Sequence, residues 1–108
     1  MKPYIIGIDL GTGSTKAIAM NHNGDIIDTS QISYPTLQPK PNYQEQDPDL
    51  IWQAFVKCIS TITSKQGHPD AICLSSAMHS VIPIDVNGNT LMNMMIWADN
   101  RSADHARE

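Results

Sequence analysis

The sequence is poor in several things at once, and each shortage removes a class of protein. Two cysteines in 108 residues, with no other Cys or His at zinc spacing, argue against a disulfide scaffold and a structural zinc site. Cys58 and Cys73 read instead as buried thiols of a reducing, cytoplasmic protein. Basic residues are few, seven Lys and Arg against eleven Asp and Glu for a net charge of −4. They are also scattered, which excludes nucleic acid and anionic membrane as partners, because both need clustered cations. Long apolar runs are missing: the stretch from Tyr4 to Ile8 is interrupted by Gly7 and closed by Asp9, far short of the roughly 20 residues of a membrane span. No signal-peptide pattern, internal repeat or low-complexity segment is visible. Length is the last shortage. A chain of 108 residues allows one domain at most and has little core with which to cover both faces of a wide sheet.

What is present is a clear order of short segments. Tyr4 to Ile8 reads as a buried strand, Gly11-Thr12-Gly13 as a turn, and Thr15 to Met20 as a second strand. The tetrapeptide Asn21-His22-Asn23-Gly24 then turns the chain into a third extended segment, Asp25 to Tyr34, so three antiparallel strands are expected. Pro35 to Gln46 carries three prolines and reads as an ordered surface loop. A helix is predicted over 48–65, with Asp47 as N-cap, Pro48 at the first helical position and Asp49 complementing the dipole. Trp52, Phe55, Val56, Ile59 and Ile62 recur on it at helical spacing, and Ile51, Ala54 and Cys58 add a second apolar side, so it needs covering twice. Trp52, Phe55 and Ile59 are assigned to the core. Gly67-His68-Pro69 ends the helix, and Ala71 to Leu74 follows as a short buried strand. Val81 to Val86, Asn87-Gly88 and Leu91 to Trp97 suggest a hairpin with a type I′ turn. Arg101 to Glu108 reads as the start of a helix that the chain end cuts off.

The most informative stretch is Asp9-Leu10-Gly11-Thr12-Gly13-Ser14-Thr15-Lys16. Small residues let backbone N–H groups approach phosphate oxygens, the Thr12 and Ser14 hydroxyls can donate to them, and Lys16 adds positive charge. A carboxylate at a buried strand end is costly unless paired or bound to metal. Asp9 is therefore read as a partner of Mg²⁺, through water, beside the phosphates. A plain tight hairpin with a capping Asp is the other reading of these residues. A Walker A loop is excluded by spacing. A dinucleotide fingerprint is excluded because Lys16 stands where its third glycine belongs and a strand follows where it needs a helix.

Four segments taken together resemble the amino-terminal part of the FGGY family of carbohydrate kinases. Gly7 to Ala17 is similar to its first phosphate loop, and Gln44-Glu45-Gln46-Asp47-Pro48 with Trp52 to the segment opening its first long helix. Ser76-Ala77-Met78-His79-Ser80 and Trp97-Ala98-Asp99-Asn100-Arg101 are similar to two sugar-site segments. Ser75 to Ser80 with Trp97 to Ser102 looks most like gluconate kinases, with xylulokinases close behind. The resemblance implies an α/β chain of the actin-like, ribonuclease-H-like fold, a mixed sheet with an antiparallel hairpin start, and residues 1–108 as an incomplete first domain. It implies ATP-dependent phosphorylation of a sugar or sugar acid, gluconate to 6-phosphogluconate foremost, with ATP and Mg²⁺ as cofactors. Asp9 would lie near Mg²⁺ and the γ-phosphate, and Gly11, Thr12, Gly13, Ser14 and Lys16 around the nucleotide phosphates. Met78, His79, Trp97 and Asp99 fall where the family contacts its sugar. Trp97 suits the apolar face of a polyol, and His79 and Asp99 its hydroxyls. Arg101 is open to two readings, neutralising a gluconate carboxylate as His79 also could, or bracing Asp99.

The base that phosphoryl transfer needs is not identifiable in these residues. In the resembled family it comes from later sequence, so the 108 residues alone are expected to be inactive and to expose apolar faces open to self-association. A nuclease of the same fold would need further acids, which Ile72 to Leu74 does not carry. A non-catalytic domain of the actin-like fold would leave the Met78-His79 and Trp97 segments unexplained. Glu45, just before the helix cap, is ambiguous. His22, His68 and His105 read as solvated, whereas His79 stands past a strand end, where α/β folds place ligands.

Overall fold

A computed structural model describes residues 2–107. In chain order the elements are β1 (Tyr4–Leu10), β2 (Ser14–Asn21), β3 (Ile26–Ser33), β4 (Glu45–Gln46), α1 (Pro48–Gln66), β5 (Ala71–Ser76), β6 (Met94–Met95) and α2 (Ala103–Ala106). Two compact units result. The first holds the residues up to 34 together with 50–77, and the second 35–49 together with the residues from 78 onward.

In the first unit the order of strands is β3-β2-β1-β5. β1 pairs antiparallel with β2 and parallel with β5, and β2 pairs antiparallel with β3, giving the expected mixed sheet with a hairpin start. Alternation along β1 turns Tyr4, Ile6 and Ile8 inward, where they meet Ala17 and Ala19 of β2 and Cys58 and Ile62 of α1. The two alanines are what let the helix approach closely: Cys58 Sγ lies 3.7 Å from the Thr15 carbonyl oxygen. Each fully buried Ile contributes about 1.5–3 kcal/mol of transfer free energy.

The helix starts as its residues require. Asp49 N–H donates to Asp47 Oδ1 at 2.9 Å, an N-cap bond. Gly67 ends it with φ at +82°, its N–H bonded to the Thr63 carbonyl at 2.9 Å, and the Tyr4 hydroxyl donates to the Gly67 carbonyl. The buried line, however, is Ala54, Cys58 and Ile62. Trp52 is 63% exposed, which corrects its assignment to the core, whereas Phe55 and Ile59 are half-buried and pack against the core cluster. Against Ala17 and Ala19 of β2 the line of Ala54, Cys58 and Ile62 fits inward, Phe55 and Ile59 pack at the margin of the core, and Trp52 is left outside.

The assignment of β5 as a buried strand is also corrected. All six of its residues are exposed. It lies at the edge of the sheet, and Ile72 and Leu74, registered beside buried Ile6 and Ile8, remain 44% and 62% exposed. Cys73 is an exposed free thiol, so only Cys58 is buried as expected.

The second unit is built on short pairings. β4 and β6 are antiparallel, with Glu45 opposite Met95 and Gln46 opposite Met94. Leu37 bridges Glu45, and Val81 bridges Met95. The 35–46 segment is thus ordered, but ends in a strand. The predicted 81–97 hairpin is reduced to the bridges Val81 to Met95 and Ile84 to Thr90. Its turn is not type I′ either, for Gly88 has φ at +85° whereas Asn87 is not in the left-handed region. Asp85 accounts for this: its Oδ1 accepts the N–H groups of Asn87 and Asn89, which favours an ordinary turn closed by glycine. The Asn21 to Gly24 turn is made the same way, with Asn21 Oδ1 accepting from Asn23 and Asp25. α2 covers only four residues. Arg101 and Ser102 form a turn before it, Ser102 makes no side-chain cap bond, and Glu108 lies outside the described residues.

Candidate functional site

The glycine turn joins β1 to β2. Gly11 N–H donates to the Ser14 carbonyl at 2.9 Å, and a Cβ on Gly11 would lie 3.1 Å from that same oxygen. Gly11 is therefore needed for close backbone approach. Gly13 is not: its φ is not positive and an added Cβ would meet nothing within 4 Å. Two carbonyls of the turn are tied from one residue. The Tyr34 hydroxyl donates to Gly11 O at 2.6 Å, and Tyr34 N–H to Gly13 O at 3.2 Å. Tyr34 is buried, and its hydroxyl also lies 3.4 Å from Thr15 Oγ1. Sequence reasoning assigned it no role; its one visible signal was an aromatic closing the third extended segment. Ser14 Oγ accepts from Gln31 Nε2 at 3.0 Å, leaving its own proton to donate.

Register sets Asp9 opposite Lys16 on one side and Ser75 on the other, so the three side chains share the sheet face away from the core. Gly7, Ile18 and Cys73 continue this face as a shallow, largely apolar depression. Asp9 is exposed, so the desolvation argument for a metal at this residue does not apply; a strand end on the uncovered face remains wet. Among the described residues no cluster of three or more His, Cys, Asp or Glu could hold a metal ion.

In the second unit Val81 and Met95 exchange two backbone bonds of 2.9 Å. His79 stands two residues before Val81 and Trp97 two residues after Met95, each just outside the bridge. His79 has φ at +65°, an uncommon conformation for a residue with a side chain. Trp97 is 58% exposed and Met78 68%. Trp97 stands inside a turn closed by a 2.9 Å bond from Asp99 N–H to Ile96 O.

Asp99 and Arg101 are bonded to each other. Arg101 Nε lies 3.0 Å from both Asp99 oxygens, and Arg101 Nη2 donates to Asp99 Oδ2 at 2.7 Å and to Glu45 Oε2 at 2.5 Å. Its guanidinium sits over the Tyr43 ring, 3.8 Å from the centroid. Asp99 Oδ2 accepts the Gln44 N–H at 2.8 Å, and Asp99 Oδ1 the Arg101 N–H at 3.0 Å. The Arg101 side chain holds the Asp99 carboxyl well below the usual carboxylate range, against the opposing effect of burial, and Asp99 and Glu45 raise Arg101 further. Of the two readings open to Arg101, the bracing one describes these contacts. Glu45, Tyr43 and Gln44 complete the cluster, and of these Tyr43 did not stand out in the sequence.

A mixed sheet opened by a hairpin with a glycine turn, a helix packed on one face and a parallel edge strand define the actin-like, ribonuclease-H-like class of α/β proteins. Within that class the chain belongs to the FGGY family of carbohydrate kinases: the family's N-terminal domain matches residues 4–108. It is 43% identical to a gluconokinase of Bacillus subtilis over 112 aligned positions, covering 100% of this chain and 21% of the relative. Among solved structures it superposes on a gluconate kinase from Lactobacillus acidophilus with a TM-score of 0.93 at 36% identity, covering 99% of this chain and 22% of that one. A ligand-bound xylulose kinase from the same organism gives 0.92 at 37% identity, covering 97% and 22%. The chain thus spans about a fifth of the length of the relatives it matches.

Proposed function

We propose that this chain supplies the first phosphate loop and part of the sugar site of an ATP-dependent carbohydrate kinase, with gluconate as the sugar acid phosphorylated. The observation that carries the reading is the turn at Gly11 to Ser14. It is anchored by Tyr34 on one side and clear around Gly13, beside a strand end where Asp9 and Lys16 are paired in register. Nothing in the chain's own packing or backbone conformation explains a glycine at 13, whereas a phosphate approaching the backbone does. ATP fits these residues: Gly11, Thr12, Gly13 and Ser14 would offer N–H and hydroxyl donors, and Lys16 a positive charge that favours the negative charge developing on the leaving nucleotide oxygen in transfer. Mg²⁺, bound between nucleotide and protein, would supply charge neutralisation; a single exposed carboxylate such as Asp9 suits an ion that keeps most of its water.

Met78, His79 and Trp97 would form the sugar contacts, Trp97 against the carbon-bearing face and His79 toward hydroxyls or the gluconate carboxylate. Xylulose is the second substrate reading, favoured by the xylulose kinase similarity. Residues 1–108 are proposed as an incomplete first domain that binds without turning over, the base for the sugar hydroxyl lying elsewhere in the enzyme. Calorimetric titration of the purified chain tests this: MgATP should bind, and gluconate more tightly than xylulose. Binding of neither nucleotide nor sugar would remove the kinase reading. Metal-dependent nuclease activity would replace it, although Asp9 has only Lys16 and Ser75 as its register partners.

A further inference from the structure

The basic residue nearest to Trp97 in sequence is the one least able to greet a sugar acid. Arg101 is gripped by two carboxylates and a ring. The cluster of Arg101, Asp99 and Glu45 sums to −1, so a gluconate carboxylate brought to it meets net repulsion. Its geometry acts on Trp97 instead. Asp99, the residue that Arg101 forks, closes the Ile96 to Asp99 turn with its own N–H and takes the Gln44 N–H on its side chain. Two further bonds pin the same stretch, Ile96 N–H to Gln44 O at 3.1 Å and Asn100 N–H to Asn42 O at 2.8 Å. The turn is thus sewn to residues 42–45 on both flanks, with Trp97 projecting from its middle. Glu45 ties this to β6 as well, since it pairs with Met95, and Met95 with Val81.

We propose that Arg101, clamped between Glu45 and Asp99 and seated on Tyr43, is a positioning residue that fixes Trp97 for the sugar and does not itself touch the sugar. This rests on the reading of Trp97 as a sugar contact. It assigns Glu45 and Tyr43 to the sugar site's support and leaves His79 as the basic group in that unit's sugar segments that can face an acid. Lysine cannot reproduce the arrangement, because a point charge lacks the planar fork and the stacking face of guanidinium.

The test uses the 108-residue chain with Trp52→Phe, so that Trp97 is the sole indole. Emission and iodide quenching of Trp97 are measured without sugar, and then gluconate and xylulose are titrated. Arg101→Lys and Glu45→Gln should each shift the emission and raise quenching before any sugar is added. Each should weaken sugar binding about tenfold, as a displaced contact does, with the far-UV circular dichroism unchanged. Glu45→Gln keeps size and shape, and so remains informative should Arg101→Lys fail to fold. Weakened sugar binding with unaltered Trp97 emission and quenching would mean that Arg101 contacts the sugar, and would overturn the proposal. Variants indistinguishable from the parent in both respects would overturn it too. A parent whose Trp97 responds to neither sugar would remove the sugar-site reading beneath it, and the sugar-free quenching arm separates that result from a failure of the clamp.

Discussion

Gly13 and Gly24 look alike in sequence and do opposite things. A methyl group on either meets nothing within 4 Å, but Gly24 has φ at +86° and Gly13 has no such strain. Gly13→Ala should therefore change stability by no more than about 0.5 kcal/mol, while weakening MgATP binding by calorimetry. Gly24→Ala should cost about 1–2 kcal/mol, the penalty of placing a Cβ in the left-handed region, and leave nucleotide affinity unchanged. Equal effects at the two positions in thermal unfolding and titration would contradict the phosphate reading. Tyr34 belongs to the same scale. Tyr34→Phe strips the Gly11 carbonyl of its partner and should cost about 1 kcal/mol, together with some nucleotide affinity. Asp99 sets an acid limit. Its folded pKa is depressed by Arg101, so its contribution is present above the unfolded value of about 3.9 and is lost as pH falls below it. Trp97 fluorescence followed from pH 6 downward should hold steady through pH 4 and report loosening only well below it, as the folded carboxyl takes its proton, with Arg101 and Glu45 the charged groups facing it. In Asp99→Asn the step contributed by this carboxyl should be absent.

At the scale of elements, α1 separates what a sequence can show from what it cannot. Its bounds were legible because Asp47, Pro48 and Gly67 act on their own neighbours. Its buried side was not, since Trp52, Phe55 and Ile59 have as good a periodicity as Ala54, Cys58 and Ile62. The choice is made by Ala17 and Ala19, some 40 positions away, which share a core with Cys58 and Ile62 while Phe55 and Ile59 reach only its margin. Ile62→Ala should accordingly cost about 2–5 kcal/mol, whereas Trp52→Ala should cost less than 1, losing chiefly its stacking on Phe55. Chemical denaturation of the two variants decides between the faces. The site divides similarly. The phosphate turn was readable because its parts are consecutive. The Arg101 clamp was not, because its other carboxylate, Glu45, is 56 positions away and no local pattern marks that pairing.

For the whole molecule, the exposed apolar side chains are the dominant fact. Leu50, Trp52 and Val56 on α1 and Ile72 and Leu74 on β5 are all substantially exposed, more than a soluble monomer ordinarily shows in one region of its fold. The 108-residue chain should bind an apolar dye and sediment as more than a monomer at high concentration. A strictly monomeric, dye-silent chain would show that these residues are tolerated in water. No helix among the described residues is long and apolar enough to cross a membrane.

The two glycine-closed turns also bear on how the chain ages. Asn23-Gly24 and Asn87-Gly88 have the sequence in which asparagine cyclises most readily, by attack of the following backbone nitrogen on its side-chain carbonyl. In both turns that nitrogen is bonded, Gly24 to the Asn21 carbonyl at 3.1 Å and Gly88 to the Asp85 carbonyl at 3.0 Å. Folding therefore holds the nucleophile away from its target. Deamidation at these two sites should be slow in the native chain and fast once it is denatured, so the mass of a stored sample would record how long it has spent unfolded.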